Sequence, residues 1–147
     1  LGWADFIAQV DGAPIVDAYR RQFQPSPGCP EPRVLVCASA VGADTDAEAD
    51  AIVAAVRAWR AAGLRGPIPA APSGSTSARV AVQPGRRSIA NGSPTRVADR
   101  LRQLVDGLGA EELMVVTICH DHEARVHSYE LLAAEFGLPT SAMEETG

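Results

Sequence analysis

Two kinds of apolar pattern alternate along this chain. "RVLVCASAV" (Arg33 to Val41) and "ELMVVTIC" (Glu112 to Cys119) carry almost unbroken apolar runs. Such runs suit strands covered on both faces, as in a parallel sheet. The stretches between them follow a helical period. "TDAE" (Thr45 to Glu48) is a capping-box sequence, in which a hydroxyl and a carboxylate each satisfy an orphan backbone donor. Behind it Ala49, Ile52, Val53, Val56 and Trp59 form one stripe. Ser93 and Pro94 suit the N-cap and first turn of another helix, with Val97, Leu101, Leu104, Val105 and Leu108 inward and Gly107 or Gly109 at its end. "DGAPIVDAYRRQF" predicts a helix with Ile15, Tyr19 and Phe23 aligned, and His122 to Phe136 predicts one with Val126, Tyr129, Ala133 and Phe136 aligned. "WADFIAQV" (Trp3 to Val10) is expected to be a short buried strand despite its Asp5.

The expected order is β-α-β-α-loop-α-β-α within a single domain, 1–147. The loop, 63–92, is rich in Gly, Pro, Ser and Arg and is expected to be a mobile excursion, with a short pairing segment at "ARVAV". "GPIPAAPSGSTS" at its heart suits either a lid over a substrate or a plain linker. The tail "LPTSAMEETG" is expected to fray. Strands alternating with amphipathic helices imply an α/β fold, its parallel strands joined by right-handed crossovers. Three such strands leave two open apolar edges, so the sheet is expected to close against another copy or to belong to a larger sheet or barrel.

Composition narrows the function. A net charge of −5 with no basic run longer than a pair argues against nucleic acid and anionic membranes as partners. No apolar run is long enough to cross a bilayer, and "LGWADFIAQV" lacks the basic start of a secretory signal. Cys29, Cys37 and Cys119 show no C-x-x-C spacing, and Cys37 and Cys119 sit in apolar runs. A cytoplasmic protein is the expectation. No dinucleotide-binding G-x-G-x-x-G after a strand, no P-loop and no G-x-S-x-G elbow is present.

Three segments in order, "AVGADTDAEAD", "NGSPTRVADRLRQLVDGLGAEELMVVT" and "HDHEARVHSYELLAAEFGL", resemble the C-terminal part of a luciferase-like flavin-dependent monooxygenase. The likeness covers nearly the whole chain except about Leu64 to Ile89. It implies roughly the last three strands of a (β/α)8 TIM barrel, and barrels of that kind need about 250 residues. The chain is therefore expected to be a fragment, inactive alone. The resemblance also implies reduced FMN, supplied by a flavin reductase, which with O2 oxidises an aldehyde or a similar small organic substrate. Some relatives use the deazaflavin F420 and transfer hydride instead. A non-catalytic α/β module that self-associates through its strand edges, forming a homo-oligomer, is the competing expectation.

All three histidines, His120, His122 and His127, lie within "TICHDHEARVHSYELL". Barrel enzymes carry reactive groups in the loops after their strands, which would put His120 and His122 at a catalytic or flavin site, with Asp121 beside them. Equally, Asp121 suits the N-cap of the following helix, leaving the histidines as loop groups. A zinc site is disfavoured, because His-x-His with a third His five residues on matches no familiar ligand spacing. Gln9 at the end of the first strand and Ser39 within the second are further candidates for cofactor contact, against ordinary loop bonding and packing. Glu123 and His127 form either an acid–base pair or a solvated i,i+4 pair. Arg86 and Arg87 could reach a phosphate, although surface basic pairs are common. Most flavin-phosphate and catalytic contacts of the resembled family come from earlier strands.

Overall fold

The computed structural model describes residues 1–8, 10–70 and 89–139. Among these, four strands and four helices alternate strictly: β1 (Gly2–Ala4), α1 (Ala13–Gln22), β2 (Leu35–Gly42), α2 (Asp46–Ala61), β3 (Ile89–Gly92), α3 (Pro94–Leu108), β4 (Glu112–Val116) and α4 (His122–Glu135). The expected α/β architecture with parallel strands is present. The expected count of three strands is not, because Ile89–Gly92, assigned from sequence to the end of the loop, is itself a strand. Four residues ending in Gly are too short to declare a period. "ARVAV", Arg86, Arg87, Gln9 and most of the tail lie outside the described residues.

β2 is the centre of the sheet. Leu35 to Ser39 pair with Glu112 to Val116 of β4, Leu35 to Cys37 with Gly2 to Ala4 of β1, and Ser39 to Gly42 with Ile89 to Gly92 of β3, all parallel. Cys37 has both Ala4 and Met114 as partners, and Ser39 has both Ile89 and Val116. β4 therefore occupies one edge of β2, while β1 and β3 follow one another along the other. In the wall of a barrel β4 would sit beside β3 instead.

Side chains alternate across β2. Val34, Val36, Ala38 and Ala40 are buried in clusters with Val16 of α1, Val97, Leu101 and Leu108 of α3 and Leu132 of α4. Val41, of the opposite parity, joins Ile89 and the Ala49, Val53 and Val56 stripe of α2. Cover on both faces explains the unbroken apolar run. It thins toward the start of β2, where Leu35 and Cys37 are half-buried, and on the edge strand β4, where Met114 is 54% exposed.

Several expected faces are rotated. β1 stops at Ala4, and a turn begins at Asp5, whose N–H still donates to Cys37 O at 2.9 Å. A carboxylate has no place in a doubly covered strand, so the expected strand to Val10 is cut short there. Helix α1 buries Val16 while Ile15 is exposed. Helix α4 buries Ser128 and Leu132, while Val126 and Tyr129 lie 40% and 39% exposed.

The ends of the elements are tightly specified. Thr45 and Glu48 complete the capping box of α2. Gly109 ends α3 in the left-handed conformation, and Arg20 of α1 donates to the carbonyls of Leu108 and Gly109. Gly92, the last residue of β3, has φ +140°, and a Cβ there would lie 2.7 Å from Asp46 Oδ1. Asp46 accepts the Ser93 N–H and pairs with Arg96, so the G-S-P turn is held to the start of α2. Ser93 precedes α3 without a side-chain capping bond.

Candidate functional site

The carboxyl ends of the parallel strands lead into loops that converge on α2 and α4. Thr117, just past β4, is anchored twice. Its Oγ1 donates to Ala40 O at 2.9 Å, and its N–H donates to the Tyr129 hydroxyl at 3.0 Å. Gly42 N–H, at the end of β2, donates to the buried Ser128 Oγ at 2.9 Å. These bonds tie α4 to the strand ends and fix the segment Ile118 to Asp121 between them.

That segment forms the floor of a cleft of about 430 Å³, lined by Cys119, His120, Asp121 and His122, with Ile52 and Ala55 of α2, Pro69, Ala70 and Ala124 as its apolar walls. The sequence thus placed His120, Asp121 and His122 together at a strand end. It gave no sign that Ile52 and Ala55 would face them. Ile52 belongs to the α2 stripe and Ala55 lies one turn on, and only the packing of that helix brings its middle turns to the cleft.

Asp121 is the N-cap of α4 and accepts the Glu123 N–H at 3.1 Å. The two histidines present different chemistry. His120 Nδ1 lies 2.6 Å from Ile68 O. A carbonyl oxygen only accepts, so this nitrogen carries the proton, and Nε2 of the neutral ring is an acceptor. His122 Nδ1 lies 2.7 Å from Arg125 Nη2. A guanidinium only donates, so the proton of that ring sits on Nε2. The cleft therefore has one imidazole nitrogen free to accept a hydrogen bond, His120 Nε2, and one N–H free to donate one, at His122 Nε2. Cys119 donates to Asp121 O at 3.1 Å, and burial raises its thiol above the ordinary range, against the pull of the Arg125 charge.

His127 is elsewhere. Its Nε2 lies 3.0 Å from Asp44 Oδ1 in the loop after β2, and its Nδ1 lies 3.9 Å from Glu130. The expected pairing with Glu123 is replaced by these contacts, because Asp44 reaches the ring from another segment. No group of three or more His, Cys, Asp or Glu able to hold a metal ion occurs among the described residues. Ser39 does not line the histidines' cleft; it lines a separate pocket of about 150 Å³ that also includes Asp5, just past β1.

A flavin ring suits the histidine cleft in size and in its apolar walls, since small-molecule sites commonly span about 300–1,000 Å³. The lining residues include no lysine or arginine, so a flavin phosphate finds no cation among them.

Comparison with known proteins gives the same family likeness as the sequence motifs. No family model matches the chain. The uncharacterised protein YwcH of Bacillus subtilis (strain 168) is 33% identical over 143 residues, which is 91% of this chain and 43% of that protein. A luciferase-like monooxygenase of Escherichia coli (strain K12) is 27% identical over 121 residues, 77% of this chain and 36% of the enzyme. The crystal structure of apo-MsnO8 superposes with a TM-score of 0.79 at 34% identity, covering 94% of this chain and 45% of its own. The chain thus spans less than half the length of each of these relatives.

Proposed function

We propose that this chain is the C-terminal part of a luciferase-like flavin-dependent monooxygenase, and that its histidine cleft forms one wall of the flavin and substrate site. The observation that carries this reading is the joint likeness in sequence and fold, 34% identity with a TM-score of 0.79 over 94% of the chain. The reading is supported by a cleft at the strand ends, where parallel α/β folds collect their ligands. Reduced flavin, delivered by a reductase, supplies the reducing power for the oxidation of an aldehyde or a similar small organic substrate by O2. The residues of this chain shape the apolar walls, exclude water and place a hydrogen-bond acceptor at His120 Nε2 and a hydrogen-bond donor at His122 Nε2. The remaining strands of a barrel and the phosphate contacts belong to the rest of such an enzyme, so this chain alone is expected to turn over no aldehyde.

The test is a titration with FMN, oxidised and then photoreduced, followed by flavin fluorescence, with F420 as the second ligand. Saturable quenching that His120→Ala and His122→Ala both weaken is the expected result. Quenching that never saturates, or that ignores both substitutions, would take the flavin away from this cleft. A preference for F420 would shift the reaction to hydride transfer at the same wall.

A further inference from the structure

We propose that Trp59, which lies outside the cleft, is a positioning residue that sets which nitrogen of His120 carries the proton, acting through the segment 63–70. The inference deepens the flavin reading and rests on it only for the use made of the His120 acceptor. The proton itself can be read without any ligand.

The segment follows α2 directly. Gly63, Leu64 and Gly66 all have positive φ, +79°, +60° and +72°, and they turn the chain back toward the helix it has just left. Left-handed backbone is ordinary for glycine and uncommon for leucine. Leu64 is the only non-glycine residue of this kind among the described residues, and it is 54% exposed, so its own packing does not hold it there. Such a conformation persists where neighbouring contacts over-determine it. Two contacts do so. The Trp59 indole N–H donates to Gly66 O at 2.9 Å, and Ile68 packs against the cluster of Val41, Val53, Val56 and Ile89. Pro67 and Pro69 stiffen the stretch that follows, since each fixes its own φ and Pro69 also restricts Ile68. The placement of Gly66 O is therefore passed on to Ile68 O with few soft torsions between them.

Ile68 O is where the segment meets the site. It lies 2.6 Å from His120 Nδ1 and can only accept, so it holds the proton on Nδ1 and leaves Nε2 as the acceptor. Which ring nitrogen of a histidine is protonated follows from such a bond, and a neutral ring without a partner prefers its proton on Nε2. Withdrawal of Ile68 O would turn His120 Nε2 from an acceptor into a donor. The cleft would then meet its ligand with two donors, because His122 already has its proton on Nε2. His122 is an internal control. Its Nδ1 partner, Arg125, belongs to the same helix, α4, so the segment has no part in that tautomer.

Histidine 15N NMR of the 147-residue chain at about pH 8.5, above the ordinary histidine range, reads both neutral tautomers. In the parent, a protonated Nδ1 and an unprotonated Nε2 are expected at His120, and the reverse at His122. Trp59→Phe keeps an apolar ring and removes the indole donor. One such hydrogen bond shifts an equilibrium by roughly two- to tenfold, and the ratio of Nδ1–H to Nε2–H at His120 should fall by that factor, with His122 unchanged. Pro67→Gly, at an exposed position, loosens the segment without removing either contact and should lower the same ratio. It carries the test if the tryptophan variant does not fold. A His120 ratio that stays put in the folded variants would overturn the proposal, as would a proton on His120 Nε2 in the parent. An equal fall at His122 would also overturn it, because that is general loosening of the cleft. FMN that fails to bind would remove the flavin reading and leave the tautomer result standing. Saturable FMN binding with an unmoved His120 ratio would do the reverse.

Discussion

The Asp46 carboxylate accepts the Ser93 N–H at 2.7 Å, joining the first turn of α2 to the turn that opens α3. Its other oxygen pairs with Arg96 at 2.7 Å. The Ser93 bond foremost, with Arg96 behind it, holds the Asp46 carboxyl below its ordinary range. Glu111 is lowered in the same way, chiefly by accepting the Val34 N–H at 2.6 Å. A carboxylate whose pKa falls on folding contributes stability that is present above its unfolded value. That contribution is lost as pH falls through the lower, folded value. Asp46→Asn keeps an oxygen for the Ser93 N–H and cannot titrate. Its Tm should therefore vary less than that of the parent below about pH 4, where unfolded carboxylates take up protons. Thermal melts from roughly pH 2 to pH 6 would decide this, and parallel Tm profiles would count against Asp46 as a linked group.

The buried bond from Gly42 N–H to Ser128 Oγ makes a second prediction. Ser128→Ala removes the acceptor and leaves a buried donor unpaired, at a cost of about 1–3 kcal/mol. Urea unfolding should show that loss, and amide exchange at Gly42 should accelerate beyond the change expected from the lower global stability. Unchanged exchange at Gly42 would mean that another acceptor takes over.

Much of the fold was legible because local chemistry and tertiary packing agree. The Thr45–Glu48 box, the α2 stripe and the Gly109 stop are all present. Sequence signals failed where packing chose between two apolar faces. Ile15 lost to Val16, and Val126 and Tyr129 lost to Ser128 and Leu132, because the buried face of α4 has a serine at its centre. Ser128 is buried and accepts the Gly42 N–H, and that partner is distant in sequence. The site was legible in part. "HDH" follows a strand and so reaches its carboxyl end, yet the proton positions on His120 and His122 come from Ile68 and Arg125. Arg125 is a helical neighbour of His122, whereas Ile68 arrives from a distant loop and leaves no mark in the local pattern.

Cys119 offers a chemical probe of the cleft. Burial raises its thiol, so less thiolate is present near neutral pH than for a free cysteine. Alkylation at pH 8 (roughly the ordinary thiol range) should be slower than for a small-molecule thiol, and its rate should keep rising at higher pH. A ligand seated against Cys119 should slow it further. A rate equal to that of the free thiol would show that the loop opens often enough to expose the sulfur.

The two faces of α4 can be told apart by energy. Leu132 is 4% exposed and packs in the cluster with Ala38, Ala40, Val97 and Leu101, whereas Val126 is 40% exposed on the same helix. Leu132→Ala removes buried methyl groups and leaves a cavity that the neighbouring alanines are too small to fill, so a loss of roughly 2–5 kcal/mol is expected. Val126→Ala removes mostly solvated surface, and alanine favours the helix, so its effect should stay within about 0.5 kcal/mol. Urea midpoints measured on the two variants would test the orientation of the helix directly. A large loss at Val126 with a small one at Leu132 would mean that α4 turns its other face to the sheet, which would also displace Ser128 from Gly42 and His122 from the cleft.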